Sequence, residues 1–91
     1  MRVVSRRSSG VPAGSVYVGR PTIYGNPFRI GLDGTREEVI EKYRDYFYGR
    51  LKIDEKFRVA VSKLENAESL CCWCAPLPCH ADVIAKYLEE K

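Results

Sequence analysis

The stretch Leu70–Ile84, LCCWCAPLPCHADVI, decides the fold. It begins as a short apolar run, is interrupted by Pro76 and Pro78, and resumes with the spacing of an amphipathic helix. We therefore predict a buried strand over Leu70–Trp73, a tight loop, and a final helix over Cys79–Glu90. All four cysteines and the only histidine of the chain lie in or beside this loop. The stretch thus also predicts the position of a functional site.

The remainder of the chain predicts two more strands and two more helices. β-Branched residues indicate strands over Arg2–Ser5 and Val16–Gly19. A capping-box pattern opens a helix over Thr35–Tyr48, which the following glycine is placed to end, and Asp54 caps a second helix that runs to about Ala67. Strands early and late with helices between them predict a single α/β domain over residues 1–91. We expect a short mixed sheet of three to four strands, with parallel and antiparallel pairs, covered by about three helices.

Composition limits the classes of protein that fit. A chain of 91 residues makes one domain with one modest core. No apolar run approaches the roughly 20 residues of a membrane span, and the N-terminus lacks the apolar segment of a secretory signal. Clustered cysteines are typical of a reducing compartment, so we expect a cytoplasmic protein. The net charge of +3 permits contact with phosphates and leaves nucleic acid possible as a partner.

A second loop, Arg20–Phe28 (RPTIYGNPF), contains two prolines, a glycine and an asparagine. Such a loop is stiff and can hold side chains in a set geometry just past a strand. Arg20 presents a fork-shaped donor suited to a phosphate or carboxylate, and Asn26 can hydrogen-bond the same ligand. We predict a small anionic or nucleotide-like ligand between this loop and Cys74–His80, bound by the following residues: Tyr17, Gly19, Arg20, Tyr24, Asn26 and Cys74.

Cys79 and His80 are the predicted catalytic residues. They fall in the first turn of the last helix, where backbone N–H groups and the helix dipole favour anions. A thiol at that position is expected to have a lowered pKa and more thiolate character. Cysteine with histidine forms a workable nucleophilic pair when the two are within hydrogen-bond reach. Group transfer or hydrolysis, such as N-glycosidic cleavage, is the expected reaction if the protein is an enzyme.

Three other interpretations fit the same residues. Cys72, Cys74, Cys79 and His80 could be zinc ligands in a C-x-C-x4-C-H arrangement, making a zinc-stabilised module that binds nucleic acid or protein, although this spacing matches no common zinc-finger pattern. Alternatively, the cysteines are small buried hydrophobes and His80 caps its helix. A third class is a pure interaction protein with an exposed apolar patch. No cofactor is predicted, with zinc as the alternative, and we expect Trp73 to lie in the core.

The chain resembles a domain-of-unknown-function family of small proteins found in phage and prokaryotic genomes. The resemblance is carried by VYVGRPTIYGNPF, LCCWCAPLPCHADVIAKYL and the intervening TREEVIEKYRDYF. It brings no established activity, and it implies that the matching positions form one unit: Gly19, Arg20, Gly25, Asn26, Pro27, Phe28, Cys72, Trp73, Cys74, Pro76, Cys79 and His80. The phage association favours nucleotide or nucleic-acid chemistry, in the host cytoplasm if the protein is phage-encoded.

Overall fold

Three short strands form the centre of the fold, and both of their pairings are parallel. The computed structural model describes residues 1–5, 13–73 and 77–90. The strands are β1, β2 and β3, spanning Arg2–Ser5, Ser15–Tyr17 and Ser69–Cys72. β3 lies between the other two, with Leu70 opposite both Val3 and Val16. Every residue of β3 is buried, as expected for the central strand of a parallel sheet.

Three helices accompany this sheet, in agreement with the predicted α/β class. The helices are α1, α2 and α3, spanning Arg36–Ile53, Glu55–Lys63 and His80–Glu90. A single 3₁₀ turn over Leu64–Asn66 follows α2. None of the helices in the described ranges combines the length and the apolar character needed to cross a bilayer.

The predicted antiparallel pairing is absent from the described part of the sheet. The connection from β2 to β3 contains α1 and α2, and a helical crossover of this kind returns the chain to the same edge, so the strands run parallel. The sequence pattern identified the strands and helices but not their directions. Most of the segment between β1 and β2 lies outside the described residues.

Two predictions are wrong for local reasons: the residue at which α1 ends and the burial of Trp73. Gly49 does not end α1: it is exposed, a Cβ there would meet nothing, and the helix continues to Ile53. Asp54 sets the boundary, because its N–H donates to the Arg50 carbonyl while its side chain accepts from the Phe57 N–H and caps α2. Trp73 follows the end of β3 and is 48% exposed, so the expectation that it lies in the core is also wrong.

The core is aromatic on the α1 side. Phe47 is fully buried and contacts the rings of Tyr43, Phe57 and Tyr87, with centroids 5.5–5.8 Å apart. Tyr43 is also fully buried, and its hydroxyl donates to the Tyr24 carbonyl at 2.7 Å. Burial raises the pKa of that hydroxyl far above its ordinary value. These contacts join α1 to α2 and α3, and α3 packs against β1 and β3.

The N-terminal cap of α1 gives a first testable prediction. The Thr35 hydroxyl accepts from the Glu38 N–H, and the Glu38 carboxylate accepts in return from the Thr35 N–H. We expect Thr35→Ala to lower the free energy of unfolding by about 1 kcal/mol, since one N–H of the first turn loses its partner. Thr35→Ser, which keeps the hydroxyl, is the control. Equal loss in both variants during urea unfolding would show that the cap contributes nothing.

Candidate functional site

A cleft of about 580 Å³ lies at the edge of the sheet where the strands end. Because the strands are parallel, their carboxyl ends meet at this edge, which is where open α/β sheets bind ligands. The volume is within the usual range for a small-molecule site. The walls come from the segment after β2, the start of α1, the end of β3 and the start of α3.

The structure brings most of the predicted site residues together in this cleft. The predicted residues in its lining are Tyr17, Gly19, Arg20, Asn26, Cys72, Cys79 and His80. Two loops that are distant along the chain therefore share one cavity. Cys74 lies outside the described residues. Tyr24 is the predicted ligand-binding residue that lies elsewhere: it is not in the lining, and its hydroxyl donates to the Ala60 carbonyl of α2 at 2.9 Å.

The turn after β2 is compact because of its two glycines. A Cβ on Gly19 would come within 2.6 Å of the Tyr17 ring, whose hydroxyl donates to the Arg20 carbonyl at 2.9 Å. A Cβ on Gly25 would come within 2.9 Å of Arg20 Cγ, so the stem of that arginine packs against bare backbone. The Arg20–Pro21 peptide bond is cis. This close packing sets the direction in which the Arg20 side chain leaves the turn.

Asn26 holds the second half of the loop. Its Oδ1 accepts from the Phe28 N–H at 2.9 Å, and its Nδ2 donates to the Val39 carbonyl of α1 at 3.3 Å. Both ends of the amide are therefore engaged within the protein, although the residue lines the cleft. The arrangement favours a positioning role for Asn26 over the predicted hydrogen bond to a ligand.

Positive charge dominates the cleft wall. Arg20, Arg29 and Arg36 line it, and the lining drawn from the described residues contains neither Asp nor Glu. Arg36 Nη1 donates to the Pro78 carbonyl at 3.1 Å, which ties the first turn of α1 to the segment before α3. The lining thus offers three guanidinium groups, which suit phosphate or carboxylate oxygens.

Sequence reasoning missed Arg29 and Arg36. Arg36 is the first residue of α1, a position where the helix dipole favours acidic side chains. An arginine at this position is unfavourable for the helix dipole, and this feature of the sequence could have marked Arg36 as a functional residue. For Arg29 the only signal was its place directly after the stiff loop.

The His80 ring is held in place on the floor of the cleft. It is 8% exposed, and its Nε2 lies 2.7 Å from the Val18 carbonyl, which can only accept, so Nε2 carries the hydrogen. The ring also packs edge-on against Tyr43. Burial lowers the pKa of His80, Arg20 acts in the same direction, and the Val18 bond and Asp82 oppose them.

The lowered pKa of His80 predicts how stability changes with pH. Below its ordinary pKa of about 6.5, the unfolded chain binds a proton that the folded chain resists, so stability falls as pH falls. Between pH 7.5 and 5.5 we expect the loss to stay within the one-proton limit of about 1.4 kcal/mol per pH unit. His80→Gln removes the titrating group and should make urea unfolding nearly independent of pH in this window. An unchanged slope in that variant would contradict the assignment.

The pKa of the Cys79 thiol differs from the prediction. Its Sγ lies 3.0 Å from Cys72 Sγ, and the residue is 4% exposed. The neighbouring Cys72 thiol is the largest cause of a raised pKa at Cys79, and burial adds to it. The expectation of a lowered pKa is therefore wrong, because the contact with Cys72 and burial outweigh the start of the helix. Catalysis by Cys79 and His80 stays a prediction, without support from this raised pKa.

The start of α3 also does not present an open anion site. The Asp82 carboxylate accepts from the Cys79 N–H at 2.9 Å, so a side-chain anion already occupies part of that position. The arginines are therefore better placed to bind a ligand anion than the predicted site at the α3 N-terminus.

The predicted zinc set is only partly described. Cys72 and Cys79 are adjacent, His80 Nε2 faces the Val18 carbonyl, and Cys74 is outside the described ranges. Within the part of the chain that the structure describes, no group of three or more His, Cys, Asp or Glu side chains is arranged to hold a metal ion.

The comparisons with known proteins support the predicted family resemblance. A family model described as "Domain of unknown function (DUF4326)" matches residues 3–90, a range that includes every described wall of the cleft. The chain is also 36% identical over 90 residues to the "Uncharacterized 12.4 kDa protein in nrdA-td intergenic region" of Enterobacteria phage T4. That alignment covers 98% of this chain and 78% of the phage protein. No solved structure matches the chain. The predicted resemblance is confirmed.

Proposed function

The chain belongs to the DUF4326 family, and we propose that it binds a phosphorylated, nucleotide-like ligand in the cleft at the carboxyl edge of its sheet. One observation carries the proposal. The cleft has three arginines on its wall and no carboxylate among its described lining residues. A cavity of this charge stabilises an anion and disfavours a cation.

The phosphate group is assigned to Arg20, Arg29 and Arg36. Guanidinium groups bind phosphate oxygens through paired, charge-assisted hydrogen bonds, which are stronger than neutral ones. Arg20 is positioned by its packed stem, and Arg36 by its bond to Pro78. Both groups are thus oriented before a ligand arrives, which lowers the conformational entropy that binding costs.

The nucleobase is assigned to the aromatic part of the same lining. Tyr17, Phe28 and Trp73 all contribute to the cleft, and nearly half of Trp73 is exposed. A half-exposed indole beside a cationic wall offers a stacking surface, and base–aromatic stacking is worth about 1–3 kcal/mol per base. The combination favours a nucleotide over inorganic phosphate.

The proposal is limited to binding. Cys79 and His80 form the cleft floor, where the Cys79 sulfur contacts Cys72 and His80 Nε2 donates to the Val18 carbonyl. Group transfer or hydrolysis of the bound nucleotide remains the predicted chemistry if a reaction occurs. We also propose a cytoplasmic location, since the thiols of the cysteine cluster suit a reducing compartment.

Trp73 provides the test, because it is the only tryptophan of the chain and so gives a single indole N–H signal by NMR. We expect this signal to shift saturably with a nucleoside 5′-monophosphate and less, at the same concentrations, with the matching nucleoside or with inorganic phosphate. Equal responses to nucleoside and nucleotide would show that the arginines do not contribute to binding. No response to any nucleotide, mono- or oligomeric, would end the proposal.

A further inference from the structure

We propose that Cys72 and Cys79 form a dithiol site that low-molecular-weight disulfides, such as oxidised glutathione, convert reversibly into an intramolecular disulfide beneath the cleft. The two sulfur atoms are 3.0 Å apart, and both residues belong to the cleft lining. A disulfide bond is about 2 Å long, so the sulfurs need to approach by only about 1 Å. This inference does not depend on the identity of any ligand.

The backbone on each side of the pair is anchored. Cys72 ends the central strand β3, which is hydrogen-bonded to a strand on either side. Cys79 is held by its N–H bond to Asp82, and the next residue, His80, is held by the Val18 carbonyl. The contact between the sulfurs is therefore made by two residues that the sheet and the helix hold in place.

The chemistry needs two thiol–disulfide exchanges. Burial and the raised pKa of Cys79 keep the thiolate scarce, so the first exchange is slow. In it, a thiolate of the pair attacks one sulfur of oxidised glutathione, which forms a mixed disulfide and releases one glutathione thiolate. The second cysteine loses its proton and attacks the mixed disulfide at the protein sulfur, which releases the second glutathione. The protein loses two electrons and two protons, and one oxidised glutathione becomes two reduced ones. Excess reduced thiol reverses both steps.

Cys71 offers a matched comparison on the same strand. Alternate residues of a strand point to opposite faces, so Cys71 faces away from Cys72 although it is similarly buried, at 4% exposed. Burial alone therefore predicts the same reactivity for Cys71 and Cys72. We expect Cys72, and not Cys71, to form the disulfide, because the Cys72 sulfur contacts Cys79.

The crosslink would connect the end of β3 to the start of α3. Closing the segment between them removes conformational freedom from the unfolded chain, so we expect the Tm of the oxidised protein to rise by about 10–20 °C. Trp73 directly follows Cys72 and lines the same cleft, so the redox state of the pair would also alter the shape of the ligand site.

The test uses a Cys71→Ala/Cys74→Ala variant, which retains only the two proposed thiols. The reduced protein is treated with oxidised glutathione and alkylated, and its intact mass is measured. We expect the mass to fall by two hydrogen atoms, with no glutathione adduct and no alkylation, and reduction to restore two alkylatable thiols. Replacing Cys79 by alanine in the same background should abolish the mass loss.

Persistent thiols, stable glutathione adducts, disulfide-linked dimers or a metal ion retained by the pair in native mass spectrometry would each overturn the proposal. Should the double variant fail to fold by circular dichroism, the single Cys74→Ala variant with peptide mapping gives the same decision. A Cys72–Cys79 link supports the site, whereas a link through Cys71 or none overturns it. Nucleotide is absent from every arm, so the outcome is independent of the proposed function.

Discussion

Replacing Arg20 by alanine is expected to weaken binding of a nucleoside monophosphate by about tenfold or more. A charge-assisted contact to phosphate is about twice as strong as a neutral hydrogen bond, and each 1.4 kcal/mol changes Kd tenfold. The Arg20 backbone carbonyl, which accepts from Tyr17, is retained in the variant. We therefore expect the turn to keep its shape while the cleft loses one guanidinium. The measurement is the Kd from titration of the Trp73 indole signal.

Two companion variants separate a specific contact from a change in overall charge. Arg20→Lys keeps the charge but loses the planar fork, so its Kd should lie between those of the wild type and Arg20→Ala. Arg2→Ala removes the same charge at the start of β1, the opposite edge of the parallel sheet, where the residue is exposed. Equal weakening in Arg2→Ala and Arg20→Ala would show that net charge, and not the cleft wall, controls binding.

The largest expected loss of stability follows from Phe47→Ala. Phe47 is fully buried and packs against rings from α2 and α3. Truncation of such a side chain costs about 3–5 kcal/mol through lost transfer energy and the cavity left behind. Small domains have only about 5–15 kcal/mol in total, so we expect the variant to be largely unfolded or to melt far below the wild type.

Tyr48→Ala is the matched control for this prediction. Tyr48 is the next residue of α1, another aromatic side chain of similar size, but it is 37% exposed. We expect its replacement to cost much less than that of Phe47 in the same urea or thermal unfolding measurement. Similar losses in both variants would contradict the core described for the α1 side of the molecule.

Local patterns predicted the elements well because their causes are local. β1 has the predicted bounds, the Thr35–Glu38 capping box is present, and α3 begins one residue after the predicted start. Each of these depends on residues that are neighbours in the sequence. Gly49 shows the limit of this reasoning: a glycine allows a helix to end but does not require it, and Asp54 supplied the actual boundary.

Properties that depend on packing were harder to predict. The strand directions follow from how the chain crosses between strands, and alternation of apolar residues carries no information about it. The pKa of Cys79 follows from its contact with Cys72 and from its depth, and a helix start alone does not specify either. Trp73 was expected in the core because the predicted strand included it, whereas β3 ends one residue earlier, at Cys72. Arg36 lines the cleft through its place at the start of α1, outside both predicted loops.

The most direct test of the cleft as a nucleotide site is a crystal structure of the protein grown with a nucleoside 5′-monophosphate. We predict density for the ligand at the carboxyl edge of the sheet, with phosphate oxygens within hydrogen-bond distance of Arg20 and the base against Trp73. Density for the nucleotide bound elsewhere on the protein, with the arginine-lined cleft empty, would contradict the account.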